Sequence, residues 1–273
     1  MEKVSVLMSV YKNDKPEWFE MAVMSMVNQT ITPDEIVLIV DGPVGDELRD
    51  KIHELVQNNK MIRLIENKEN KGLGLTLQQG IQECKNQIIA RMDADDYALP
   101  NRLEKELKFM KENDLDMVGS SVSEFMDSTD NIVSEKKVPC NQDEILKFAK
   151  SRNPFCHMTV VYKKDKVLEA GNYQHMLYCE DYYLWVRMLQ KGCKVGNLDE
   201  SLVLMRTTKD MYKRRGGYKY FKNQNLLFNY MRKTKFISFF ACLKNKIIRF
   251  CVQVLMPNNL RQKFYEKLRK RDS

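Results

Sequence analysis

Glycine and proline are sparse in this chain, 11 and 7 of 273 residues, and no tract repeats. Collagen-like, linker-like and low-complexity architectures are thereby excluded. The seven cysteines (Cys84, Cys140, Cys156, Cys179, Cys193, Cys242 and Cys251) are an odd number with no C-x-x-C pair. That excludes a disulfide scaffold and a zinc framework, and fits scattered thiols in a reducing compartment. The opening MEKVSVLMSVYK has no small-residue cleavage site and reads as a strand, so a cytoplasmic location is expected. The longest mostly apolar stretch, Phe236–Met256, carries Lys244, Lys246 and Arg249 in its middle. Each would cost about 2.5–3.5 kcal/mol at a bilayer centre, which disfavours a spanning helix. What remains is a chain with 43% hydrophobic and 30% charged residues, enough to bury the core of one large domain with or without a small appendage.

Charge is unevenly divided. From Arg206 onward lie 19 of the 45 Lys+Arg but only 3 of the 37 Asp+Glu, so this part carries about +16 and the preceding part about −8. A basic tail of this kind seeks an anionic membrane, a phosphorylated ligand or nucleic acid. The aromatic and aliphatic residues within it favour the membrane over nucleic acid, as an in-plane amphipathic helix ended by Pro257 and followed by a second basic helix over Asn259–Arg271. The alternative is that Phe236, Phe239, Phe240, Leu243, Ile247 and Phe250 pack on the body or on a second subunit, giving a homodimer.

The first hundred residues alternate strand and helix. Apolar runs at Val4–Val10, Glu35–Val40, Ile62–Ile65 and Ile88–Met92 predict buried strands. Between them, Phe19, Ala22, Val23, Met26 and Val27 share one face of a helix that begins near Pro16, with Asp14 as its cap. Helices are also predicted over Asp46–Gln57, around Leu73, Leu77 and Ile81, and over Pro100–Asn113. This succession implies right-handed βαβ units and a mainly parallel sheet with flanking helices. Further on, Met117–Phe125 and Met158–Tyr162 suit strands, and Asp143–Lys150 and Tyr182–Gln190 suit helices, the last ended by Gly192.

Ligands of parallel sheets bind beyond the carboxyl ends of the strands. Asp41 and Asp93-Ala94-Asp95-Asp96 stand at two such ends. Three carboxylates in four residues suit a hard divalent cation bridging to phosphates, or else a solvated turn. Asp41 could accept hydrogen bonds from a base or sugar, or simply make the Asp-Gly-Pro turn. Glu180-Asp181 opens an amphipathic helix, as a cap or as a general base. His157 is a metal ligand, a phosphate donor or a structural residue. Arg206, Lys213, Arg214 and Arg215 could neutralise a diphosphate.

Together, the stretches VSVLMSVYK, EIVLIVDGP, NKGLGLTLQQGI, IIARMDADD, NPFCHMTVV and EDYYLWVRML, in this order from Val4 to Arg215, resemble the family 2 glycosyltransferases with the GT-A fold. More narrowly, the chain looks like bacterial enzymes that build capsule, exopolysaccharide or O-antigen repeat units on a lipid carrier. The resemblance implies a catalytic domain over 1–215 and a basic helical tail over 216–273. It implies that Val10, Tyr11 and Asp41 line the nucleoside pocket, with Asp41 on uracil. Asn70, Lys71 and Gly72 would border the nucleotide and Arg91 would lie near it. Asp93 and Asp95, flanking Ala94, would hold Mn²⁺ or Mg²⁺, with His157 near the metal or acceptor. Asp96 would hold the donor sugar and Arg206 the diphosphate. Asp181 would be the base, with Glu180 on the acceptor and Trp185 packed near it.

The resemblance thus implies an inverting transfer of one sugar from a nucleotide-sugar to a polyprenyl-diphosphate-linked acceptor, at the inner face of the membrane. Two departures are visible: Asp41 is followed by Gly42-Pro43 where many members have a second Asp, and the Gln-x-x-Arg-Trp of processive synthases is absent. The competing readings are a metal-dependent nucleotidyltransferase, disfavoured by the lack of a Gly-rich loop near the first strand, and a non-catalytic membrane-associated carbohydrate-binding protein.

Overall fold

The computed structural model describes residues 2–208, 216–257 and 260–261. Lys213, Arg214, Arg215 and nearly all of the helix expected over Asn259–Arg271 lie outside the described residues.

Strands β1 (Val4–Val10), β2 (Glu35–Val40), β3 (Ile62–Glu66) and β4 (Ile88–Met92) form the parallel half of the sheet, in the order β3-β2-β1-β4. The crossovers are α1 (Pro16–Val27), α2 (Asp46–Asn58) and α3 (Leu73–Glu83). Layers on both faces explain why β1, β2 and β4 are mostly apolar and buried almost throughout, with Ser5, Ser9, Glu35 and Arg91 the polar exceptions. Val6, Met8, Ile36 and Leu38 face α1 through Phe19, Ala22, Val23 and Met26. Leu7, Val37, Ile39 and Ile89 face α3 through Leu77 and Ile81. Asp14 does not cap α1: Lys15 is the N-cap, and no side chain bonds there. The Asp14 carboxylate instead accepts from the Tyr11 N–H at 2.9 Å, inside the turn that leaves β1.

Past β4 the sheet becomes mixed. A short strand, β5 (Tyr97–Ala98), precedes α4 (Arg102–Glu112), β6 (Met117–Met126) and β7 (Ser128–Lys136). Next come α5 (Gln142–Phe148), β8 (Val161–Lys163), α6 (Lys164–Glu169), α7 (Glu180–Gln190) and β9 (Val195–Arg206). β8 is antiparallel to β4 and β6, whereas β9 runs parallel to β6 and antiparallel to β5. Three of these strands, β5, β7 and β9, are not predicted by the sequence pattern. β7 is a polar, largely exposed hairpin arm, and β9 is interrupted by Asp199-Glu200-Ser201, where its register against β6 shifts. The strand expected over Met158–Tyr162 is reduced to β8. His157–Thr159 curls into a 3₁₀ turn, in which the Thr159 N–H and hydroxyl both donate to the Cys156 carbonyl. Gly192 ends the α7 region as expected, with φ at +80°.

The tail contributes α8 (Tyr218–Lys233) and α9 (Phe239–Phe250), the latter capped by Ser238, whose hydroxyl accepts from the Ala241 N–H. A single π-helical turn, Cys251–Leu255, follows before Pro257. These helices dock on α7: Leu227, Phe228, Met231, Ile237 and Cys242 share a buried cluster with Cys179, Tyr182 and Val186.

Candidate functional site

Three strand ends meet first. The Asp41 N–H donates to the Val10 carbonyl at 2.8 Å, which joins the ends of β2 and β1. The buried Asp41 carboxylate then reaches the loop before α3, with Oδ1 accepting from the Lys71 N–H at 2.8 Å and Oδ2 from the Gly72 N–H at 3.0 Å. Asn70 closes the arrangement by donating to the Asp41 carbonyl at 2.9 Å. Val10, Asp41, Asn70, Lys71 and Gly72 are thus brought together, and Tyr11, next to Val10 in the chain, is partly exposed. Asp41 already spends one lone pair of each oxygen on this loop.

Gly42 makes that approach possible. Its φ is +86°, and a Cβ there would lie 2.5 Å from the Asn70 nitrogen. Gly42→Ala is therefore expected to cost about 1–3 kcal/mol of stability and to displace residues 70–72. Urea melts of the variant check the loss of stability.

The end of β4 is anchored from below. Arg102, fully buried and ion-paired with the equally buried Glu106 at 3.0 Å, donates to the Arg91 carbonyl at 2.8 Å. Arg91 is itself buried and forms a close ion pair with Asp93. Burial, then the Asp93 charge, pushes the Asp95 carboxyl up to about 6. Burial, then Asp95, raises Asp96 well above the usual carboxylate range. Asp96 accepts from the Arg206 N–H at 2.7 Å through Oδ1, while its buried Oδ2 has no partner. Ala94 is buried between the flanking carboxylates.

The Asp95 carboxyl, held above its usual pKa beside the Asp93 charge, would be relieved by a hard cation, so Asp95 and its neighbour Asp93 fit Mn²⁺ or Mg²⁺ as oxygen donors. Among the described residues no group of three or more His, Cys, Asp or Glu side chains could hold a metal ion by itself, and other ligands would have to complete the shell. Arg206 is built into the wall, with its guanidinium 4.5 Å from the Trp18 and Phe125 rings and its Nε donating to the Asp95 carbonyl at 3.0 Å. It thereby fixes the backbone of the acidic loop.

The third part comes from α7. Asp181 accepts from the Tyr182 N–H at 2.7 Å and from Asn153 Nδ2 at 2.6 Å. Burial raises its pKa against those two hydrogen bonds. Burial likewise pushes Glu180 up to about 7. Glu180 packs on the N-terminus of α3, where a Cβ on Gly74 would meet its Cγ at 2.9 Å. The Arg91 charge is felt by Asp14, Asp95, Asp96 and Asp181 alike, so the α7 end lies within electrostatic reach of the β4 end.

Two expected site residues are packed into the interior. The His157 Nε2 is 2.9 Å from the Tyr173 hydroxyl, and its imidazole packs on Trp185 with its pKa held well below the usual value by burial. Its Nε2 is thus already engaged. Trp185 is fully buried among Phe155, His157, Tyr162 and Tyr173, so it supports the site from beneath and offers no wall to a ligand. Two residues join the site without having been predicted. Asp14 is pushed up to about 7 by burial and by the Asp95 and Asp93 charges, against the Tyr11 N–H it accepts, which puts it beside the acidic loop. Asn153 holds Asp181. The only signal for either was its neighbourhood in the chain, three residues after Tyr11 and one before Pro154.

Comparisons with known proteins bear on the family and the fold. The sequence model of the family described as Glycosyl transferase family 2 matches residues 5–170. The chain is 38% identical over 267 residues to the amylovoran biosynthesis glycosyltransferase AmsE of Erwinia amylovora, covering 97% of this chain and 99% of that one. It is 36% identical over 272 residues to an Escherichia coli UDP-Gal:alpha-D-GlcNAc-diphosphoundecaprenol beta-1,3-galactosyltransferase, covering 98% and 97%. Among solved structures, S. aureus TarS 1-349 in complex with UDP-GlcNAc superposes with a TM-score of 0.67 at 14% identity, over 91% of this chain and 72% of that one.

Proposed function

The chain belongs to glycosyl transferase family 2, and from that premise we propose that it moves one sugar from a UDP-sugar to a hydroxyl of a polyprenyl-diphosphate-linked glycan, with inversion, in the synthesis of a bacterial surface polysaccharide. Family membership replaces the nucleotidyltransferase and non-catalytic readings. The observation that supports the reaction is that Arg91, ion-paired with Asp93, also acts electrostatically on Asp95 and on Asp181. Asp181 takes the proton of the acceptor hydroxyl as its oxygen attacks the anomeric carbon. The bond from that carbon to the diphosphate oxygen breaks, and the diphosphate leaves with the electron pair. One displacement inverts the centre, so an α-linked donor gives a β-linkage. Asp93 and Asp95 would hold a divalent ion, Mn²⁺ or Mg²⁺, which when bound would supply positive charge to the departing diphosphate. Val10, Tyr11, Asp41 and residues 70–72 orient the nucleoside, Asp96 the donor sugar and Glu180 the acceptor. The choice of UDP rests on the UDP-Gal named for the Escherichia coli relative.

The test is a thermal-shift screen of UDP-sugars with Mn²⁺ and with chelator. A ligand at a hundred times its Kd stabilises by about 2.7 kcal/mol, which is visible as a rise in Tm. The rise should appear with metal, vanish with chelator, and vanish in Asp95→Asn, whose transfer rate should fall by roughly a hundredfold or more. A UDP-sugar that stabilises equally well with chelator would overturn the metal assignment.

The acceptor also places the enzyme. Phe239, Phe240, Leu243 and Ile247 on α9 are 58%, 79%, 45% and 55% exposed, so they do not pack on the body, whereas Phe236 does. No helix among the described residues is long and apolar enough to cross a membrane. The reading supported by this face and its charge is peripheral binding at an anionic membrane surface, on the cytoplasmic side. A homodimer through the same face would oppose two strongly basic surfaces.

A further inference from the structure

Asp181 is the base of the proposed transfer, and the role assigned to its neighbours depends on that function. Both of its oxygens are held, Oδ1 by the Tyr182 N–H and Oδ2 by Asn153 Nδ2. Asn153 is itself constrained. Its Oδ1 accepts from the Phe155 N–H at 3.3 Å, and Pro154 narrows its backbone to extended conformations. The segment before it is gripped from two sides. From α7, the Tyr182 hydroxyl donates to the Ala149 carbonyl at 2.7 Å. From α9, Asn245 Nδ2 donates to the Lys150 carbonyl at 2.8 Å and Arg249 Nη2 to the Ser151 carbonyl at 3.1 Å. Asn245 is buried on a helix whose Phe240 and Ile247 point to solvent. A helix that turns an asparagine inward and phenylalanine outward inverts the usual pattern, and the inward amide is accounted for by its hydrogen bond.

We infer that Asn153 is a positioning residue for the Asp181 base, and that Asn245 and Arg249 of α9 clamp the 149–153 segment that presents it. A carboxamide suits the task, because it donates to the carboxylate and does not titrate. The charged and titratable groups facing Asp181 are Lys136 from β7, Arg91 from β4, Glu180 and Tyr182 from its own helix, Cys179 just before it and Tyr173 from the loop after α6. Arg249 of α9 acts on Cys179 and Tyr182. One helix thus presents its apolar edge outward and supports the catalytic base with its polar edge.

The test uses the full-length protein and follows the Asp181 carboxyl by carbon-13 NMR titration, which needs no acceptor, alongside kinetics with the UDP-sugar that turns over. Asn153→Ala removes a hydrogen bond that favours the ionised base, so the carboxyl should titrate at higher pH. The acid limb of the kcat profile should move the same way, and kcat should fall roughly tenfold. Asn153→Asp keeps the shape of the side chain but sets an acceptor against an acceptor, so it should be the more damaging of the two. A merely structural asparagine predicts the reverse order, since aspartate preserves volume. Asn245→Ala should shift the titration in the same direction by less, with binding to phosphatidylglycerol vesicles unchanged. If Asn153→Ala and Asn153→Asp titrate as the parent does, the inference is overturned. If Asp181→Asn retains full turnover, the base assignment fails instead, whatever residue 153 does.

Discussion

Asp181→Asn should lower the transfer rate by about 10²–10⁴-fold while leaving the protein folded and able to bind donor. That range is what a positioned general base supplies. Donor binding should survive because the nucleoside contacts expected at Asp41 and residues 70–72, and the metal contacts expected at Asp93 and Asp95, come from strand ends that α7 does not build. Stability carries a sign of its own. Burial raises the Asp181 pKa above its unfolded value. Its contribution to stability is therefore fully present below the unfolded pKa and is lost as pH rises through the folded one. Wherever Asp181 is ionised the wild-type protein holds a buried carboxylate at a cost, so at such pH the asparagine variant should melt no lower than wild type. For the same reason wild-type activity should decline on the acid side, as the base becomes protonated. Steady-state rates between pH 5 and 9, with thermal melts of both proteins, decide the matter. A variant that loses activity only because it unfolds would not support Asp181 as the base.

The parallel half of the fold was legible because its physics is local. A strand buried on both faces must be apolar throughout, and a turn at its end must be polar, so Glu35–Val40 followed by Asp41 and Ile88–Met92 followed by Asp93 announce themselves. β9 was illegible because its bulge breaks the apolar pattern at Asp199-Glu200-Ser201, and β7 because it packs against little and has no reason to be apolar. Site residues divide the same way. Asp93, Asp95, Asp41 and Asp181 sit where local rules already expect something. Asn153 and Asp14 act through tertiary partners, which no spacing reveals. Trp185 misled because a tryptophan on an amphipathic helix is equally suited to a ligand wall and to a core. Only the surrounding rings of Phe155, Tyr162 and Tyr173 decide for the core.

Replacing Phe239, Phe240, Leu243 and Ile247 together by serine should severely weaken vesicle binding while sparing the fold. All four are exposed, so no packed contact of the core is lost. Full burial of such side chains contributes about 1.5–3 kcal/mol each. Immersed only to the headgroup boundary, they would contribute roughly half the lower figure or more, about 4 kcal/mol for the set. At about 1.4 kcal/mol per decade that is close to a thousandfold in partitioning. The basic residues supply a second term of about 1 kcal/mol per charge near an anionic surface, and salt screens it over a Debye length of about 10 Å at 0.1 M. The two terms can be separated. Wild-type protein should sediment with phosphatidylglycerol vesicles at low salt, bind weakly to neutral vesicles, and release progressively as salt rises. The quadruple variant should bind about a thousandfold more weakly at each salt concentration, keeping only the salt-sensitive attraction of its remaining charges. If the variant instead binds vesicles like wild type and a wild-type dimer falls to a monomer, the face belongs to a second subunit, and the acceptor must reach the cleft by another route.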